Sequence, residues 1–242
     1  MKENKFPGKK CIALLLDPDK TRNESLRKIL KIAEKCRTDF IMAGGSLTFS
    51  SIDQMIGDVK KQCNIPVVLF PGNLLQLSQK ADIIFLLSLI SGRNSELLIG
   101  NHVIAAPFLR NVRHKLVSVG YILISCGSKT SVEYISQTEA IPSDKPDIVV
   151  ATALAGEMLG LSLIYLEAGS GASNPVPISI IRSVRENITV PLVVGGGISN
   201  KKEVEKIFKA GADLIVLGNG CEKNPDLLTE ACSVRDRFRL SE

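Results

Sequence analysis

The chain has no tryptophan, three tyrosines and two histidines in 242 residues, and aromatic residues make up only 5% of it. So thin an aromatic complement, with no cluster on which bases could stack, argues against a nucleic-acid binder. His102 and His114 belong to no His-x-x-x-His or Glu-x-x-His pattern, so transition-metal ligation and Ser-His-Asp hydrolysis are disfavoured. The six cysteines (Cys11, Cys36, Cys63, Cys126, Cys221, Cys232) include no close pair at metal-ligand spacing and read as free thiols in a reducing compartment. Long apolar runs are also missing. Ile83 to Ile90, the most apolar region, is far too short to span a bilayer. The opening MKENKFPGKKCIALLLDPDK has a basic lead, but its apolar run ends at Asp17 with no small-residue cleavage site after it, so the expected location is cytoplasmic. Nor does one sign of charge dominate. The net charge of +5 arises from 30 basic and 25 acidic residues mixed along the chain, a solvated surface whose mild positive field favours phosphorylated ligands.

What is present is ordinary globular composition, 45% hydrophobic and 23% charged, consistent with one large α/β domain over residues 1–242. Eight short apolar runs recur: CIALLLD (11–17), FIMAGG (40–45), PVVLFP (66–71), IIFLLS (83–88), VGYILISCG (119–127), LIYLEAG (163–169), PLVVGGG (191–197) and LIVLGNG (214–220). Their apolar residues are nearly continuous, as parallel strands covered on both faces require. Between them lie segments of helical character at Glu24 to Cys36, Ser51 to Gln62, Ser95 to Asn101, Asp147 to Gly160, Pro177 to Asn187, Lys201 to Ala210 and Asp226 to Phe238. This alternation predicts a TIM (β/α)8 barrel. The interval from Pro71 to Asp82 is too short for a full helix, so the third helix is expected to be replaced by an irregular segment, and Ile141 to Pro146 reads as a loop. An open doubly wound sheet would carry Gly-x-Gly-x-x-Gly after its first strand, where Asp-Pro-Asp-Lys stands instead.

Barrel enzymes place their chemistry at the C-terminal strand ends. Strand one ends in Asp17 and Asp19, strand two in Gly44, Gly45 and Ser46, strand six in Glu167 with Gly169, Ser170 and Gly171, strand seven in Gly195, Gly196 and Gly197, and strand eight in Gly218, Asn219 and Gly220. Glycine turns in three consecutive units expose backbone N–H groups that suit a phosphate. Each turn alone could equally be a tight connection. Asp17 and Asp19 either cap a helix or hold Mg²⁺, with Ser46 adding an oxygen. Glu167, inside a run that is otherwise buried, either forms an ion pair or grips a substrate hydroxyl and accepts its proton, with Tyr165 on the same strand face.

LLDPDK, MAGGS, YLEAGSGA, VVGGGI and LGNG, in this order from about Cys11 to Gly220, resemble the geranylgeranylglyceryl phosphate synthase and heptaprenylglyceryl phosphate synthase family. RNSELLIGNHVIAAP (93–107) resembles the branch of some archaea and of bacteria related to Bacteroides and Flavobacterium. The resemblance implies Mg²⁺-dependent transfer of a prenyl group, most simply from geranylgeranyl diphosphate, to the C3 hydroxyl of sn-glycerol 1-phosphate. It implies Mg²⁺ at Asp17 and Ser46, and glycerol phosphate at Tyr165, Leu166, Glu167, Ala168, Gly169, Ser170 and Gly171, at Gly196 and Gly197, and at Gly218 and Asn219. Glu167 and Asp17 would be the catalytic residues. It further implies a homo-oligomer, dimer or hexamer, and at most peripheral membrane contact, because donor and product are lipids. Some members carry Lys two residues before the first Asp. Here that residue is Leu15, and Lys20 or another basic residue would have to replace the cation. Two rival readings remain: a phosphate-binding barrel isomerase, disfavoured because Cys126 and Gly127 end strand five where a second acid is needed, and a phosphate-ligand sensor, which would have no use for Glu167 and Asp17 together.

Overall fold

Each apolar run becomes a strand whose two faces meet two different cores, which is why none of the runs alternates. In the computed structural model, which describes residues 9–127 and 129–240, the strands are β1 (Cys11–Leu16), β2 (Phe40–Ala43), β3 (Val67–Leu69), β4 (Ile83–Leu89), β5 (Leu116–Ser125), β6 (Ile141–Pro142), β7 (Leu163–Glu167), β8 (Leu192–Gly195) and β9 (Leu214–Leu217). Ala13, Met42, Val68, Phe85, Tyr165 and Val193 pack into one cluster inside the ring. Their neighbours Ile12, Leu14, Ile41, Leu69, Ile84, Leu166 and Val194 pack outward against the helices. All pairings are parallel, in the order β4-β3-β2-β1-β9-β8-β7-β5, and β4 pairs with β5 to close the ring. Ala13 opposite Phe40 and Glu167 opposite Gly195 illustrate the register. The two-residue β6 hangs on the end of β5, inside the stretch expected to be a loop. Eight strands therefore form a TIM barrel, as the alternation predicted.

The helices are α1 (Asn23–Lys35), α2 (Ile52–Gln62), α3 (Asn101–Leu109), α4 (Ser131–Ser136), α5 (Pro146–Met158), α6 (Ile178–Asn187), α7 (Lys201–Lys209), α8 (Asn219–Lys223) and α9 (Asp226–Leu240). Amphipathic α1, α2, α6 and α7 follow the predicted spans within a residue or two. The expected Ser95 to Asn101 helix differs: that stretch is a π-helical turn, Glu96–Gly100, and the α-helix proper continues to Leu109 through Pro107. Its sequence is apolar on every side, leaving Val103, Ile104 and Phe108 exposed, so no polar face marked its extent.

The third unit contains only a single 3₁₀ turn, Leu74–Gln76, between β3 and β4, as expected. Gln76 makes this irregular segment a strut. Its buried amide donates to the Gly45 carbonyl at 2.8 Å and accepts from the Gly72 N–H at 3.0 Å, fixing the end of β2 where Ser46 sits. At the opposite end of the barrel the buried Arg235 of α9 pairs with Asp39 at 2.9 Å, and the second Asp39 oxygen accepts from Arg239 at 2.6 Å. Asp39 also accepts the Ile12 N–H at 2.9 Å, so the C-terminal helix is fastened across the start of β1 and β2.

Ser51 caps α2 by accepting the Gln54 N–H at 3.2 Å. Ser51→Ala is expected to cost about 1 kcal/mol of stability, measurable by urea unfolding, with no change in the slope of the transition. Among the described residues, no helix is long and apolar enough to cross a membrane.

Candidate active site

Two adjoining cavities open at the C-terminal ends of the strands. The larger, about 610 Å³, is lined by strand-end residues of β1, β2, β7, β8 and β9. The smaller, about 290 Å³ and mostly apolar, lies between β4 and α3. Ser46, Phe70 and Tyr121 border both. Phe70, Tyr121 and Tyr165 pack against one another in tilted and edge-to-face pairs with ring centroids 5.2 to 5.9 Å apart, beside this shared border.

The period of two along β7 sends Tyr165 and Glu167 inward and Leu166 outward. Tyr165 and Glu167 line the larger cavity, although only 6% of Glu167 is accessible. Its Oε1 accepts the Gly169 N–H at 2.7 Å. Burial pushes the Glu167 carboxyl up to about 7, outweighing the hydrogen bond from Gly169 and the nearby Tyr165 hydroxyl, both of which favour the charged form. The Tyr165 hydroxyl lies beside Glu167, both filling the space that a side chain at Gly195 would need, and it is buried without a hydrogen bond of normal geometry. Leu166 and Ala168 do not reach the cavity: both side chains belong to the helix-facing core. The resemblance implied a continuous stretch at this strand end, and alternation removes these two side chains from it.

Gly169, Ser170, Gly171, Gly196, Gly197, Gly218 and Asn219 all line the larger cavity. Gly196 (φ +83°) and Gly197 (φ +68°) hold left-handed backbone that a side chain would also obstruct, since a methyl at Gly197 would overlap the Asn174 carbonyl. Two of the three turns are linked to each other and to the β1–α1 loop. Asn219 donates to Ser170 Oγ at 3.2 Å and accepts from Lys20 Nζ at 3.4 Å. Lys20 also lies 3.4 Å from Asp17 Oδ2, so a basic residue from the β1–α1 loop stands in the cavity that Leu15 lines without charge.

Asp17 and Asp19 part company. Asp17 faces the cavity against Gly45, its Oδ1 accepting the Asp19 N–H at 2.9 Å. Asp19 turns to the β2–α2 loop, where it accepts the Phe49 and Ser50 N–H groups at 2.7 and 2.9 Å. Asp19 therefore organises the loop, while Asp17 and Ser46 line the larger cavity at the ends of β1 and β2 with oxygen atoms that could serve a hard cation. A single carboxylate with a hydroxyl suits Mg²⁺, which keeps several waters and completes its shell with substrate phosphate. Among the described residues no group of three or more His, Cys, Asp or Glu side chains is placed to hold a metal, which argues against an all-protein cage.

Several lining residues gave no signal in the sequence. Tyr121 and Phe70 look like core within apolar runs, and Glu222, whose carboxyl is raised chiefly by burial, sits in the short α8 that no periodicity marks. In the smaller cavity Phe85, Leu86, Leu87 and Leu89 of β4 are joined by Leu97 and Ala105. His102 adds one polar edge there. Its Nε2 is 3.1 Å from Ser88 Oγ, its Nδ1 has no partner, and burial lowers its pKa.

A model of the PcrB family matches residues 7–234. The chain is 46% identical over its whole length to the geranylgeranylglyceryl phosphate synthase of Spirosoma linguale, covering 97% of that protein. To the protein of that name from Korarchaeum cryptofilum it is 37% identical over 94% of each chain. The crystal structure of (S)-3-O-geranylgeranylglyceryl phosphate synthase from Thermoplasma acidophilum, in complex with its substrate sn-glycerol-1-phosphate, superposes with a TM-score of 0.88 at 31% identity, covering 96% of this chain and 94% of that one. Family model, relatives and fold agree across nearly every residue, and the chain belongs to the PcrB family.

Proposed function

We propose that the protein is a prenyltransferase that joins a prenyl diphosphate, with geranylgeranyl diphosphate as the favoured donor, to the C3 hydroxyl of sn-glycerol 1-phosphate. The observation that carries this reading is the contiguity of two unlike cavities: a glycine-lined polar one around buried Glu167, and an apolar one that meets it at Ser46, Phe70 and Tyr121. An acceptor phosphate fits the backbone N–H groups of the Gly169, Gly196 and Gly218 turns, and an isoprenoid tail fits between β4 and α3. The names of the bacterial and archaeal relatives, and the substrate bound in the Thermoplasma protein, support both assignments.

In this reaction the glycerol hydroxyl oxygen forms a bond to the allylic carbon while the carbon–oxygen bond to diphosphate breaks. Glu167 orients the hydroxyl and takes up its proton; at a value near 7 it is poised to do both at neutral pH. Tyr165 holds the same oxygen through its unpartnered hydroxyl. Phe70, Tyr121 and Tyr165, packed together beside the junction of the two cavities, would lie near the carbon that gains positive charge. Asp17 and Ser46 would hold Mg²⁺, which when bound neutralises charge on the departing diphosphate. Lys20 supplies a fixed cation at the same rim. Lys20→Ala is expected to raise KM for the prenyl diphosphate by roughly 10- to 100-fold, because one charge-assisted phosphate contact is worth roughly 1.5–3 kcal/mol.

The deciding experiment supplies Mg²⁺, a series of prenyl diphosphates and each glycerol phosphate enantiomer, and follows diphosphate release and the ether by mass spectrometry. An ether formed from sn-glycerol 1-phosphate and not from its enantiomer is expected. Binding of glycerol phosphate without turnover of any donor would sink the transferase reading and favour a sensor.

A further inference from the structure

Two of the six cysteines meet although they come from opposite ends of the chain. Cys36 closes the C-terminus of α1, and Cys232 lies in α9. The Thr38 hydroxyl bridges the two thiols, 3.3 Å from Cys36 Sγ and 3.8 Å from Cys232 Sγ. Arg235, one turn further along α9, donates to the Cys36 carbonyl at 3.1 Å and the Arg37 carbonyl at 2.7 Å while pairing with Asp39. The backbone that carries Cys36 is thus bolted to the helix that carries Cys232.

The two thiols differ in access and in charge. Cys232 is buried, whereas Cys36 is only half-buried. The hydrogen bond from Cys232, helped by the Thr38 hydroxyl and the Arg235 charge, holds the Cys36 thiol below the ordinary cysteine range. The same bond and burial push Cys232 up. Burial raises Cys11, Cys63, Cys126 and Cys221, so Cys36 stands alone among the six as a thiol favoured in its reactive form. A half-buried thiolate beside a second, protected thiol is the arrangement of a peroxide-sensing pair.

We propose that Cys36 and Cys232 form a reversible dithiol site for hydroperoxides, with Cys36 as the attacking sulfur and Cys232 as the resolving one. The Cys36 thiolate attacks one peroxide oxygen, the O–O bond breaks, and water leaves after protonation, giving a sulfenic acid. The Cys232 sulfur then attacks the Cys36 sulfur, a second water leaves, and an S–S bond closes between α1 and α9. Two thiols lose two electrons and two protons in total, and hydrogen peroxide is reduced to two waters. A small thiol such as glutathione restores the pair by exchange. None of this depends on the transferase reading.

The test uses reduced full-length protein treated with stoichiometric hydrogen peroxide, blocked with N-ethylmaleimide, digested and analysed by mass spectrometry. A peptide linking Cys36 to Cys232 is expected, reversed by dithiothreitol, with the other four cysteines still blocked. In reduced protein at neutral pH, iodoacetamide is expected to label Cys36 roughly tenfold faster than Cys63. In Cys232→Ser, dimedone is expected to trap a sulfenic acid on Cys36 that the wild type passes on to the disulfide. Peroxide oxidation appearing first at another cysteine, or Cys36 going to sulfinic acid in the wild type with no linked peptide, would overturn the proposal. Equal labelling of all six thiols would do the same.

Discussion

Glu167→Gln is expected to lower kcat by roughly 10²–10⁴-fold while the Kd for sn-glycerol 1-phosphate changes by less than about tenfold. Glutamine keeps the shape and can still accept the Gly169 N–H through its carbonyl, so the cradle stays assembled and only the proton acceptor is lost. Stopped assays across pH separate this from simple misplacement. Wild-type kcat is expected to rise with pH through an acid limb near 7, where buried Glu167 ionises, and the variant is expected to lack that limb. Stability should move the other way. Because the folded value, about 7, lies above the ordinary 4.5, the folded state binds more protons than the unfolded chain between those values. Stability supplied by this group is therefore complete below 4.5 and lost as pH rises through 7, a change of roughly 3 kcal/mol. Unliganded Glu167→Gln should show no such fall and should match or exceed the wild-type melting temperature at pH 8. A variant that keeps wild-type kcat would remove Glu167 from the chemistry.

Gly196→Ala is expected to reduce kcat/KM by on the order of 10²-fold, with weaker binding of glycerol phosphate in calorimetry. The glycine sits at φ +83°, and a methyl there would overlap Glu167 Oε1 and come 2.8 Å from the Gly169 nitrogen. It would push between the donor and acceptor of the hydrogen bond that positions the carboxylate. Gly160→Ala is the control. That glycine also has positive φ, +79°, but a methyl there would meet nothing within 4 Å and it lies outside both cavities, so it carries only the backbone strain of about 1–2 kcal/mol. Equal effects of the two substitutions on activity would attribute the loss to strain and not to displacement of Glu167.

The barrel was readable because parallel strands covered on both faces leave an unmistakable trace: runs such as CIALLL and LIVL have no polar face to lose. The glycine turns were readable because they need backbone that only glycine adopts freely. What stayed hidden has physical reasons. Tyr121 and Phe70 reach the cavities from positions that look like any other apolar strand residue, and only closure of the ring turns them toward the junction. Asp17 and Asp19 share one turn and one chemistry, and their division of labour is decided by the β2–α2 loop, far away in sequence. Helix α3 carries no periodic signal because neither of its faces is consistently polar. The meeting of Cys36 with Cys232 is set by how α9 crosses the barrel base, a tertiary event that spacing cannot encode.

The shared border at Ser46, Phe70 and Tyr121 bears on how turnover ends. On the proposed reaction, acceptor and donor first occupy the two chambers as separate molecules, each free to leave alone. Afterwards one molecule is tethered in both, and release of either end leaves the other holding it at high local concentration. On the proposed reaction the ether therefore departs more slowly than glycerol phosphate, and its escape calls for an acceptor outside the protein into which the tail can slide as the phosphate end lets go. The join that makes coupling possible also makes the enzyme a carrier that must be unloaded.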